Sequence, residues 1–145
     1  MADTEHDVPT QKRELLYLFT DKHHGGGTSE DACWTIARAE EFSVFDLADS
    51  MDIFDEEGRF YGILPDGNGS LRELGTWQEQ VAEFPVASPN TAWHGYPIRW
   101  SKHELAPPNR ASEKCRPDKV VFLLMEARGL ITGGQKRRLM KGDHI

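Results

Sequence analysis

Apolar residues change spacing several times along the chain, and each spacing predicts a different element. Leu15-Leu16-Tyr17-Leu18-Phe19 is an unbroken apolar run between Glu14 and Thr20, a length that fits a buried strand or a short helical turn. After the loop DKHHGGGT, Thr28 and Asp31 stand at capping spacing before SEDACWTIARAEE, which predicts a first helix. Val44, Leu47, Ala48 and Met51 recur at i, i+3, i+4 and i+7, the stripe of a second, amphipathic helix, with Phe42 and Leu47 flanking Ser43 at the spacing of a hydrophobic staple.

The middle of the chain reads differently. GRFYGIL and SLREL, joined by PDGNG, have the outline of a β-hairpin. Thr76 and Glu79 form a capping box ahead of a short expected helix that carries Trp77, Val81 and Phe84 on one face and stops at Pro85. AWHGYPIRW is expected as an extended aromatic segment at a sheet edge, because Pro97 has no N–H to give a ladder.

In the last thirty residues Pro117 suits the first turn of a helix, VVFLLM is apolar on every side, and Gly129 is a natural left-handed stop. That predicts a buried helix. Thr132 and Gln135 form a further capping box, so another helix is expected to run to Lys141 with Gly142 as its stop. The fold class is therefore α+β: N-terminal helices, a small antiparallel hairpin or sheet in the middle, and a C-terminal α-hairpin with a helix-turn-helix outline. Residues 1–10 are read as a flexible tail and residues 11–145 as one globular domain, which this length allows without disulfide staples.

Charge sharpens this picture. Residues 1–97 carry 19 acidic and 6 basic side chains, a balance of −13, whereas residues 98–145 carry 5 acidic and 11 basic, a balance of +6. An acidic body disfavours broad contact with phosphate backbones and leaves room only for a local one at the basic end. The two cysteines, Cys33 and Cys115, make no disulfide framework, and whether they pair is not decided by their spacing. No apolar run reaches the length of a membrane span and the N-terminus has no apolar signal core, so a cytoplasmic protein is the expectation.

Candidate chemistry is sparse. His24-Gly25-Gly26-Gly27 matches an oxyanion loop of α/β-hydrolases in composition, but no G-x-S-x-G elbow accompanies it, and without GK[ST] it is no phosphate loop. His23, His24, His94, His103 and Cys115 lack metal-ligand spacing, so no metal and no cofactor are expected. His94, Tyr96, Arg99 and Glu73 are the residue types of a small RNase-like or transferase-like acid–base site, without a motif to join them. Lys136, Arg137, Arg138 and Lys141 make the last helix basic, the feature a nucleic-acid reader would use. Gly133 and Gly134, however, occupy its base-reading turn, and the cations also complement the helix C-terminus.

The reading that follows is a small acidic, non-catalytic regulatory protein of the immunity, antitoxin or adaptor kind, which binds a protein with a basic surface. Its contact residues are expected at Asp49, Asp52, Asp55, Glu56 and Glu57. Nucleic-acid binding through the C-terminal helix pair and catalysis around His94 and Tyr96 are the alternatives.

Overall fold

The computed structural model describes residues 3–20, 23–24, 33–76, 78–98, 117–143 and 145. Among them the chain is α+β, with three helices and two small antiparallel sheets in the order β1 (Thr4–Glu5), β2 (Leu18–Phe19), α1 (Arg38–Ser50), β3 (Phe60–Gly62), β4 (Ala82–Phe84), β5 (Tyr96–Pro97), α2 (Lys119–Ala127) and α3 (Gly133–Met140).

The apolar run at residues 15–19 ends in a strand, with Tyr17 and Phe19 buried and Leu16 exposed. Leu18 and Phe19 pair antiparallel with β1, and Tyr17 forms a parallel bridge to Trp93 through Leu18 N–H to Trp93 O and Trp93 N–H to Leu16 O, both 2.7 Å. Residues 3–10, read from the sequence as a tail, carry β1, a fully buried Thr10, and His6 stacked 3.7 Å from the ring of Phe42.

The helical expectations before residue 50 need correction. The start of the expected first helix, at Thr28 and Asp31, lies outside the described residues. Of its described portion, 33–41, residues 33–37 are extended, with Trp34 bridging Gly75 and Thr35 N–H donating to Leu74 O, and only 38–41 are helical. Helix α1 begins only at Arg38, capped by Glu40 reaching back to the Ala37 N–H at 3.1 Å. It runs straight through Ser43, whose hydroxyl donates to Ala39 O inside the helix instead of capping a new one. It buries Glu41, Val44, Phe45, Ala48 and Asp49, a face that shares Val44 and Ala48 with the expected stripe but leaves Leu47 and Met51 only half-buried.

The expected hairpin also changes partner. Residues 64–72 do close a loop, with Asp66 Oδ1 accepting from Asn68 and Ser70 N–H and a single bridge between Pro65 and Leu71. Yet β3 pairs with β4, Phe60 opposite Phe84 and Gly62 opposite Ala82, in the stretch expected as the Thr76–Glu79 capped helix. Pairing on both edges of β4 outweighs that local signal, and Thr76 Oγ1 accepts from Cys33 N–H at 3.4 Å rather than from a helical turn. On the far side β5 pairs Pro97 with Ala82 and Tyr96 with Glu83, so Pro97 lies in an edge strand as its chemistry requires.

Helix α1 lies hard against β3. A Cβ on Gly62 would stand 2.4 Å from Val44 Cγ1 and 2.9 Å from Val44 O, so only glycine permits this approach. Phe45 is the hub of the core, with ring centroids 5.0 Å from Tyr17, 5.0 Å from Phe84 and 5.8 Å from Trp93.

Helix α2 is capped by Asp118, which accepts from Val120 N–H, so Pro117 sits just before the cap rather than in the first turn. It buries Val121, Phe122 and Met125 but leaves Leu123 41% exposed, so it is one-sided and not apolar-packed all round. Its C-terminus is a Schellman turn through Gly129 at φ +76°, with Leu130 N–H to Met125 O and Gly129 N–H to Glu126 O. Helix α3 has the predicted reciprocal box of Thr132 with Gln135 and ends the same way at Gly142. Even α1 closes so, with Asp52 in the left-handed position at φ +57° and the buried Ile53 beyond it. No helix among the described residues is long and apolar enough to cross a membrane.

Candidate functional site

The acidic residues expected to form a docking patch divide into two groups. Asp49 is fully buried and accepts from Arg13 Nη1 at 2.6 Å and Arg13 N–H at 3.1 Å. Asp52 is shared by Lys12 Nζ at 2.6 Å and Arg13 Nη2 at 2.5 Å, and these two cations, Lys12 first, hold its carboxyl down at about 2 from an ordinary 3.8. Asp55 is buried and takes the Arg59 guanidinium at 2.8 Å together with the N–H groups of Glu57 and Arg59, which keep its pKa below the ordinary value against the opposing effect of its burial. Asp49 and Asp52 fasten the N-terminal segment to the end of α1, and Asp55 closes the 55–59 turn on itself. Glu56 and Glu57 remain on the surface, Glu57 beside Arg59 at 3.0 Å.

Next to that turn lies a groove that the sequence did not announce. Its walls are residues 14–16 and 87–91, Trp93 lies between them, and it is a half-open groove of about 430 Å³. Both walls are stiff. Ser88 to Thr91 is a turn closed by Thr91 N–H to Ser88 O, with Pro89 followed by Asn90 at φ +65°, the type II arrangement. On the opposite wall Glu14 adopts φ +55°, its N–H held by Thr10 O and the next N–H by Thr10 Oγ1. Leu16 is 39% exposed in the groove and Val86, leading into its other wall, is 55% exposed. A methyl on Gly58 would stand 3.6 Å from Val86 Cγ2, which places the Glu56–Glu57 turn beside the same wall. The aromatic line Phe54–Phe60–Trp93, with centroids 5.7 and 5.2 Å apart, joins the turn to the groove from beneath.

The other candidates are placed elsewhere. Tyr96 donates to Glu83 Oε2 at 2.8 Å, while His94 and Glu73 are exposed and Arg99 lies outside the described residues. Glu83 also takes the Tyr61 hydroxyl at 3.1 Å; burial, then the nearby Glu83 charge, pushes that phenol far above its ordinary value. On α3, Lys136 is paired with Glu126 at 2.7 Å, and Arg137, Arg138 and Lys141 are exposed towards its C-terminal end. No group of three or more His, Cys, Asp or Glu side chains among the described residues is arranged to hold a metal ion. Cys33 is half-buried, and its pairing with Cys115 falls outside the described residues.

One buried polar cluster was not foreseen as a unit. Glu41, 1% exposed, accepts from the Tyr17 hydroxyl at 2.5 Å through Oε2 and meets His24 Nε2 at 2.6 Å through Oε1. Burial, reinforced by Glu41, raises the Tyr17 phenol well above its ordinary value. The remaining nitrogen, His24 Nδ1, faces Thr20 O. With both ring nitrogens engaged, His24 offers none to a substrate, so this triad is not an acid–base site as it stands.

No family model, curated protein or solved structure matches the chain, so the functional reading rests on this geometry.

Proposed function

We propose that the protein is a non-catalytic binding protein whose groove between residues 14–16 and 87–91 takes an apolar side chain from a basic partner protein. The observation that carries this reading is the preformed groove itself, apolar at Leu16, Pro89 and Trp93 and rimmed by the exposed Glu14. An aromatic floor inside a polar rim is the arrangement from which protein contacts draw most of their affinity. Glu14 and Glu56 have no ion pair among the described residues. Asp49, Asp52 and Asp55 are matched by Lys12, Arg13 and Arg59, and Glu57 shares Arg59, so the uncompensated surface narrows to Glu14 and Glu56. Uncompensated rim carboxylates favour a cationic partner and act chiefly on the rate of encounter.

The test uses two synthetic peptides, one alternating leucine with arginine and one alternating leucine with glutamate, titrated into the labelled protein and followed by amide chemical shifts. The arginine peptide is expected to move the amides of Leu16, Thr91 and Trp93, more weakly at high salt and more weakly still in Glu14→Lys. Equal binding of both peptides, shifts scattered away from the groove, or no binding of either would overturn the proposal. Leu16→Ala, an exposed change, separates apolar docking from simple charge attraction. It is expected to weaken the arginine peptide without altering the salt dependence.

A further inference from the structure

His24 stands immediately before the three glycines of the HHGGGT stretch, and its ring is held on two sides. Nδ1 faces the carbonyl oxygen of Thr20, and Nε2 lies 2.6 Å from Glu41 Oε1 on α1. Both partners are acceptors. A neutral imidazole has one N–H and would set its other lone pair against an oxygen; only the imidazolium, with two N–H groups, satisfies both contacts. Glu41 bridges this cation to Tyr17, whose hydroxyl donates to its second oxygen, so one buried carboxylate on α1 joins His24 to the residue just before β2.

The charged groups acting on the ring among the described residues are few. Glu41 favours the proton, while Arg38, one helical turn earlier on α1 and lying 5.1 Å over the Phe19 ring, opposes it. Phe19 presents an edge-on ring 6.1 Å away and carries no charge. Tyr17 acts only through Glu41. The hydrogen bond with Glu41 outweighs burial, and the His24 pKa rises from its ordinary 6.5. The closed state has a built-in cost as well. Among the described residues Thr20 Oγ1 is buried without a hydrogen-bond partner, a loss that water would repair if His24 moved away. A contact that exists fully only in one protonation state, set against a standing penalty for closure, makes a two-state element.

We infer that His24 is a proton-operated latch: as an imidazolium it ties the His23–His24 segment to α1 and Tyr17, and on losing its proton to solvent it releases that segment. Because the proton is bound more tightly in the closed state, the latch is fully set below the ordinary histidine value. It weakens as pH rises through the raised value, so release lies on the alkaline side. The latch is independent of the groove and of its partner.

The experiment uses the intact chain. Long-range proton–nitrogen spectra of the imidazole should show both His24 nitrogens protonated at pH 6 and a titration midpoint above 6.5. Trp34 N–H, which donates to His23 O at 2.9 Å, reports the closed position of the His23–His24 segment. After correction for intrinsic base catalysis, its hydrogen exchange should accelerate by up to about tenfold per pH unit between 6.5 and the closed-state midpoint and then level off. The total acceleration should equal the ratio of the open-state and closed-state acid constants. Glu41→Gln, which keeps the shape and removes the charge, should lower the midpoint and bring the plateau to lower pH. If that variant fails to fold, the wild-type measurements decide alone. A His24 midpoint at or below 6.5, one unprotonated nitrogen at pH 6, or corrected Trp34 exchange that stays flat across a raised midpoint would overturn the latch.

Discussion

Arg13→Met removes the cation that pairs with the fully buried Asp49, and its cost can be worked from the contacts. The guanidinium donates from Nη1 to Asp49 Oδ1 at 2.6 Å and Asp49 O at 2.7 Å, and from Nη2 to Asp52 Oδ1 at 2.5 Å. The Asp49 side chain is 0% exposed, so the variant leaves its carboxylate buried with only the residue 13 N–H for company, whereas the Arg13 side chain is 35% exposed. Breaking a fully buried pair costs about 3–5 kcal/mol; partial exposure of the arginine screens the interaction and brings the expectation to about 2–4 kcal/mol. Methionine retains an apolar stem over Phe54 and Phe60, whose ring centroids lie 5.6 and 5.7 Å from the guanidinium carbon, so packing changes little. For a chain of this size the melting temperature should fall by about 5–15 °C, read by circular dichroism. Lys12→Met is the control: Lys12 is 42% exposed and should cost less than about 1 kcal/mol. The acid limb gives a second reading. Asp52, held at about 2, contributes stability that is complete above its ordinary 3.8 and fades as pH falls towards 2, and Arg13→Met should flatten that slope without abolishing it, since Lys12 remains. A loss no larger than that of Lys12→Met, with an unchanged acid slope, would refute the claim that Arg13 anchors the N-terminal segment.

Two further substitutions test the C-terminal helices. Phe122→Ala should cost about 3–5 kcal/mol in urea denaturation while its neighbour Leu123→Ala costs under about 0.5, because the first is 1% and the second 41% exposed; similar losses at both would mean α2 is not one-sided. Changing Arg137 and Arg138 together to Glu should lower stability by about 1 kcal/mol or less through lost dipole complementation. In a gel-shift titration at two salt concentrations, salt-sensitive DNA or RNA binding by the wild type that vanishes in this variant would restore the nucleic-acid alternative.

What could be read in advance depended on how local the determining interactions were. The Thr132–Gln135 box and the glycines at 129 and 142 act within one turn of chain, and α3 and both C-terminal stops are where the sequence places them. The Thr76–Glu79 box is equally legible and misleads, because β3 and β5 claim Ala82–Phe84 from both sides. The start of α1 has no Ser, Thr, Asp or Asn cap, so the Ser43 signal looked stronger than the Glu40 reach to Ala37 that operates. The candidate site suffered most. Counting carboxylates finds Asp49, Asp52 and Asp55, but their pairing with Lys12 and Arg13, some 36 to 40 positions away, and with Arg59 through burial is a property of the fold. Nothing in LLYLF distinguishes the exposed Leu16 from its buried neighbours until Trp93 arrives to form the groove.

The bridge between Tyr17 and Trp93 has a consequence for how the chain folds as it is made. The partner of the first apolar run is encoded 76 positions later, and at ribosomal rates of about 5–20 residues per second that run stays without its neighbour for roughly 4–15 s. Phe45, which touches both, cannot complete its packing in that interval either. Short strands joined across such separations give slow, late closure. The nascent chain therefore holds LLYLF without its packing partners over that interval, and the native protein later exposes one residue of the same segment, Leu16, in its groove.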